Sequence, residues 1–135
     1  MITRLNPDTL PKNPAFSQVA VIHPAATLVF VGGQNAVNTQ GEIVGHDLAS
    51  QMEQAIKNLI AALAAAGATL KDVFKVTIYV VAGQSLQAGF AAVQPLWDIR
   101  AHPPTISGIF VAGLARPEFL VEIEAVAAIQ TGGQS

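Results

Sequence analysis

The clearest periodicity in the chain is Leu48, Met52, Ile56, Leu59 and Leu63, apolar positions recurring every three or four residues. That spacing lays a single stripe along a helix. Asp47 can cap its start, Ser50 and Glu53 offer an alternative capping box, and Gly67 supplies a left-handed C-cap. The opposite face, with Ala61, Ala62 and Ala65, carries almost no charge, so this helix is expected to be buried on more than one side. Leu86, Phe90, Val93 and Trp97 set out a second helix, capped by Ser85. Pro95 lies inside that pattern and has no N–H to donate, which predicts a kink or an early end.

Between and around the helices the period changes to two. In Val73 to Val81, Phe74, Val76, Ile78 and Val80 fall on one face, and Val73, Lys75, Thr77, Tyr79 and Val81 on the other. Ser17 to Ile22 is a strand that stops at His23-Pro24, and Thr27 to Val31 is a short one that ends at Gly32-Gly33. Asn38 to Gly45 reads as a hairpin or loop, and Thr69 to Asp72 as a capped turn. His102-Pro103-Pro104 forces an extended approach to a strand over Thr105 to Val111, and Phe119 to Ala128 forms the last strand. Residues 1–14, with Pro7, Pro11 and Pro14, read as an extended arm with room for one edge strand, and residues 130–135 as a flexible tail. The order β-β-α-β-α-β-β predicts one α+β domain over residues 1–135, a single mixed sheet with two helices packed on one face. The other face of that sheet then needs cover.

Composition sharpens this point. Hydrophobic residues make up 51% of the 135 and charged residues 12%, against a usual charged share of about 25%. A folded monomer of this mass exposes about 6,700 Å², which so few charges cover thinly. Large bare apolar patches mark interfaces, so an obligate homo-oligomer is expected. The absence of cysteine excludes disulfides and thiolate catalysis. The net charge is −2, and the seven lysines and arginines are scattered. Nucleic-acid affinity rests on clustered cations, so no nucleic-acid partner is expected. No secretory signal or membrane-length apolar run is evident, which makes the cytoplasm the default location and a membrane partner unexpected.

Candidate chemistry is sparse. Glu122 and Glu124 lie two apart on a strand, so both point to one face, about 6.6 Å apart along it. A glycosidase would place such carboxylates across a cleft, so one functional glutamate on an apolar strand is the better reading. His23, His46 and His102 have no metal spacing, and two of them precede prolines. No metal site is expected. Ser17 and Ser107 lack a nucleophile elbow. Gly32-Gly33-Gln34 spells the tripeptide of translation release factors, but it recurs at Gly132-Gly133-Gln134 without basic surroundings. A strand-end glycine beside a cleft, where a Cβ would block a ligand, is the simpler meaning.

Taken in order, Phe16-Ser17-Gln18, Phe30-Val31-Gly32-Gly33-Gln34, the Gln51-to-Gly67 helix, Val76-Thr77-Ile78-Tyr79-Val80, His102-Pro103-Pro104 and Val121-Glu122-Ile123-Glu124-Ala125 resemble the reactive-intermediate deaminase family. That family is also called Rid, YjgF or, in older naming, endoribonuclease L-PSP. The resemblance covers nearly the whole chain. It implies a chorismate-mutase-like fold and a homotrimer with small-molecule clefts between subunits. It also implies hydrolysis of enamine or imine intermediates to a carbonyl compound and ammonia, without metal or organic cofactor. By the same resemblance Phe16 matches a cleft-lining aromatic, without its hydroxyl, and is followed by Ser17. Gly33 matches a strand-end glycine. Gln94 matches a polar cleft residue, often Asn, and Glu122 the acid that positions the attacking water.

One departure stands out. Deaminating members carry an arginine after Pro-Pro-x, followed by a small residue such as Ser, to grip the substrate carboxylate. Here Pro103-Pro104-Thr105 is followed by Ile106 and Ser107. Loss of one partner of a buried charged pair costs about 3–5 kcal/mol. Two readings follow: a hydrolase with an altered substrate, with Arg100 or Arg116 as replacement cations, or a trimer that binds a small apolar ligand without chemistry.

Overall fold

A computed structural model describes residues 1–131. The chain forms β1 (Ile2–Leu5), β2 (Val19–Ile22), β3 (Ala26–Gln34), α1 (Leu48–Ala65), β4 (Val73–Val81), α2 (Leu86–Val93), β5 (Thr105–Val111) and β6 (Val121–Gln130), with a 3-10 turn at Leu70–Asp72 before β4. The strands do not make one sheet. β3-β6-β4-β5 form a four-stranded mixed sheet, in which only β4 and β5 run parallel, while β1 and β2 pair as a separate antiparallel ribbon. The arm therefore supplies a strand, and its partner is β2 rather than the main sheet. Arg4 ties the ribbon to the start of β5, its Nε donating to the Pro103 carbonyl at 3.0 Å.

α1 forms where its stripe predicts. Leu48, Met52, Ile56, Leu59 and Leu63 are buried, together with Ala55 and Gln51. Asp47 caps the helix by accepting from the Ser50 backbone N–H at 2.8 Å, so the Ser50–Glu53 alternative is not used. At the other end Gly67 has φ +77°, its N–H reaches the Ala64 carbonyl, and the Ala68 N–H reaches Leu63. This is a Schellman close, which the glycine permits because it has no Cβ to clash. Ala61 and Ala65 are exposed, so this side of α1 is not buried within the chain as expected. α2 ends at Val93, two residues ahead of Pro95, and Trp97 is buried beyond the helix.

The core lies between the helices and one sheet face, built from Val76, Ile78, Val80, Val121, Ile123, Ala125 and Ala127. Val73 belongs to the same face, contrary to strict alternation. The β4 register shifts between Val73 and Lys75, so Phe74 is an extra residue that returns Val73 to the core side. The last strand starts at Val121 and runs through Gln130. Gln130, expected in the flexible tail, is thus the last residue of β6, and residues 132–135, with the second Gly-Gly-Gln, lie outside the described residues. On the uncovered face Phe30 is 74% exposed and Leu28 and Ile109 are also exposed.

Candidate functional site

The site grows from an irregularity in β3. Val31 pairs with Ala125 and Gln34 with Ile123, so Gly32 and Gly33 together oppose Glu124 alone. The extra residue is a bulge, which bends the strand and re-aims what lies beside it. A Cβ on Gly33 would sit 2.2 Å from Oε2 of Glu122. Within the chain the glycine is thus required by a neighbouring carboxylate, that of Glu122. The strand itself continues through both glycines rather than ending at them.

Glu122 points to the uncovered face, because its neighbours Val121 and Ile123 are fully buried on the helix side. Its Oε1 accepts from Asn35 Nδ2 at 3.3 Å. Across the strand pair, Tyr79 lies opposite Glu122, and the Tyr79 hydroxyl donates to Glu124 Oε1 at 2.6 Å. That bond, then burial, then the charges of Glu124 and Glu122, push the Tyr79 hydroxyl above its ordinary range. The two glutamates thus share a face but have different partners. Among the described residues the side-chain ion pairs are Lys12–Asp8 and Lys57–Glu53, so no cation neutralises either one.

The other residues singled out from the sequence are spread over the chain. Ser107 lies on the uncovered face, aligned with Thr77, which is itself paired with Glu124. Ile106 is aligned with buried Val76 and packs against the core on the helix side. Ser17 is buried, with its Oγ donating to the Pro103 carbonyl at 2.6 Å and its N–H to Pro104 at 2.9 Å. Phe16, half-buried beside it, is thereby held near the start of β5. Gln94 is exposed at the C-cap of α2 and lines a shallow cavity of about 340 Å³ with Trp97, Asp98, Ile99 and Arg100. Arg116 donates to the Gly41 carbonyl at 3.0 Å and lies 5.3 Å from the Phe119 ring centroid, which engages it within its own chain. Within the chain, then, Gly33 and Glu122 meet, whereas the sheet stands between Glu122 and Ile106.

Sequence reasoning missed Asn35, which reaches Glu122 across 87 positions of sequence, and the Tyr79–Glu124 pair. Only the β4–β6 register could reveal the latter, and no local pattern encodes it. Among the described residues no group of three or more His, Cys, Asp or Glu could hold a metal ion, and no helix is long and apolar enough to cross a membrane.

The family model for endoribonuclease L-PSP matches residues 8–129. A RutC family protein of Pyrococcus horikoshii is 33% identical over 106 residues, covering 76% of this chain and 80% of that protein. Among solved structures, the conserved Rid-family protein YyfB of Yersinia pestis superposes with a TM-score of 0.80 at 35% identity, covering 95% of this chain and 98% of that one. A putative endoribonuclease of Thermotoga maritima gives a TM-score of 0.70 at 32% identity, covering 86% and 87%. The two helices, the mixed four-stranded sheet and the antiparallel pair form the chorismate-mutase-like fold of these neighbours. The chain belongs to the endoribonuclease L-PSP family, the group also called Rid or YjgF.

Proposed function

We propose that the protein is a homotrimeric imine or enamine hydrolase, and that its clefts form between subunits and take substrates without a carboxylate. The observation that carries this reading is Glu122. It is a carboxylate without a cation partner among the described residues, given room by Gly33 and oriented by Asn35. Such a group can hold a water and accept its proton as the oxygen bonds the imine carbon. The nitrogen is protonated, the carbon–nitrogen bond breaks, and a carbonyl compound and ammonia leave. One water is consumed for each imine.

The separation of Ile106 and Gln94 from Glu122 within one subunit supports a two-subunit cleft, in which one copy supplies Glu122 and its neighbour supplies β5. Ile106 offers no donor to a carboxylate, which supports a neutral or apolar substrate. RNA cleavage, named in the family's older title, is not supported, because the face presents glutamates where phosphates would have to lie. The apolar character of Phe16 and Ile106 favours a second reading, a trimer that binds a small apolar ligand without turning it over.

The experiment generates imines in situ, one from a neutral amine by an amine oxidase and one as 2-iminopropionate, and follows ammonia release. Wild type is expected to accelerate hydrolysis of the neutral imine, and Glu122→Gln to abolish that acceleration. Ile106→Arg should improve 2-iminopropionate turnover, by about two decades or more if the guanidinium pairs with the carboxylate. Rapid wild-type turnover of 2-iminopropionate would overturn the substrate assignment. No acceleration by wild type of either imine, with ligand found by mass spectrometry of the purified protein, would favour the binding reading.

A further inference from the structure

We infer that Asn35 is a positioning residue for Glu122, and that a stripe of side-chain amides on α1 holds it in place. The inference rests on the reading of Glu122 as the water-holding carboxylate, but the geometry behind it is independent of any turnover. Gln51, Gln54 and Asn58 recur at three and four residues along α1, so they form one stripe beside the apolar one. Gln54 Nε2 donates to Asn58 Oδ1 at 2.9 Å. Asn58 Nδ2 donates to the Asn35 and Val37 carbonyls, each at 2.9 Å. Asn35 Nδ2 in turn donates to the Val121 carbonyl at 3.1 Å and to Glu122 Oε1 at 3.3 Å.

The chemistry of the partners dictates every amide orientation. A carbonyl and a carboxylate only accept, so the nitrogen of Asn35 must face Val121 and Glu122. Two backbone carbonyls likewise demand the nitrogen of Asn58, which leaves its oxygen for Gln54. The Gln54 bond polarises the Asn58 amide, and Asn58 in turn fixes the backbone of Asn35, whose side chain then carries the contact to Glu122. Gln51 fixes the other strand. It is 1% exposed, donates to the Gly45 and Glu118 carbonyls at 3.2 and 2.9 Å, and accepts from the Leu120 N–H at 2.8 Å. One helix face thus grips the chain just after β3 and just before β6, on either side of the point where Gly33 and Glu122 meet. A rigid element is a better platform for such a group than a loop.

The test combines turnover with the side-chain amide resonances of Asn35. Asn35→Leu and Asn58→Leu are expected to lower kcat about ten- to hundredfold, the effect of misplacing a reacting group by about an ångström, with KM little changed. Asn35→Asp, which keeps the shape but sets an acceptor against Glu122, should show the same loss and covers the case in which the leucine variant does not fold. In a Glu122→Asp background, which keeps a carboxylate but draws it back from Asn35, Asn35→Leu should add little further loss, because the contact it supplies is already gone. In the wild-type spectrum the Asn35 amide protons should shift on Glu122→Gln and again on Asn58→Leu. Independent, multiplying effects of the two substitutions would overturn the inference, and so would Asn35 resonances that ignore Glu122→Gln. A wild type without imine hydrolysis would defeat the proposed activity alone, since the resonance test needs no turnover.

Discussion

Glu122 and Glu124 are chemically identical and two positions apart, yet each has its own donor. Glu122 accepts from an amide, Glu124 from a phenol. The second arrangement has a measurable consequence, because Tyr79 is the single tyrosine of the chain. A hydroxyl that donates to a carboxylate is held in its neutral form, so Tyr79 should ionise above the ordinary value of about 10. Absorbance at alkaline pH reads this directly, and Glu124→Gln should bring the midpoint down. Because the folded state raises this pKa, its contribution to stability is present below about pH 10 and is lost as pH rises through the folded midpoint. A midpoint unchanged by Glu124→Gln would show that the bond does not persist in solution. Asp47 has the opposite sign. Its bonds to Ser50 lower its pKa, so its contribution is present at neutral pH and lost as pH falls through the folded value.

Among the elements, α1 carries most. Its apolar stripe makes the core, and its amide stripe reaches the candidate site. Leu59, in the apolar stripe, is fully buried, so Leu59→Ala should destabilise by about 2–5 kcal/mol in urea unfolding. The elements were largely legible from periodicity, because burial on one face imposes a period of 3.6 or 2 whatever the rest of the fold does. Two bulges escaped. At Phe74 and at Gly32-Gly33 the partner strand decides where the extra residue goes, and no local pattern records that choice. The pairing of β1 with β2 escaped for the same reason, since an exposed proline-rich arm carries too weak an alternation to reveal its partner.

At the scale of the whole molecule, one sheet face remains apolar and open, with Phe30, Leu28 and Ile109 exposed. An area like this on a charge-poor chain fits the proposed assembly of copies. Phe30→Glu would bring a like charge from every copy into that interface. Sedimentation should then show dissociation to monomer at micromolar concentration, with the far-UV circular dichroism of the wild type retained. A wild type that sediments as a stable monomer would refute the oligomer and, with it, the two-subunit cleft.

The excess of apolar residues, the two helices and the main strands were all determined by the sequence alone, because composition and periodicity are local properties. Only the tertiary structure decided which chemistry-bearing side chains meet. It set Glu122 against Gly33 and Asn35, put Ile106 on the far side of the sheet, and engaged Arg116 with its own chain. Those outcomes depend on strand order, register and bulges, which are settled by packing between segments far apart in sequence.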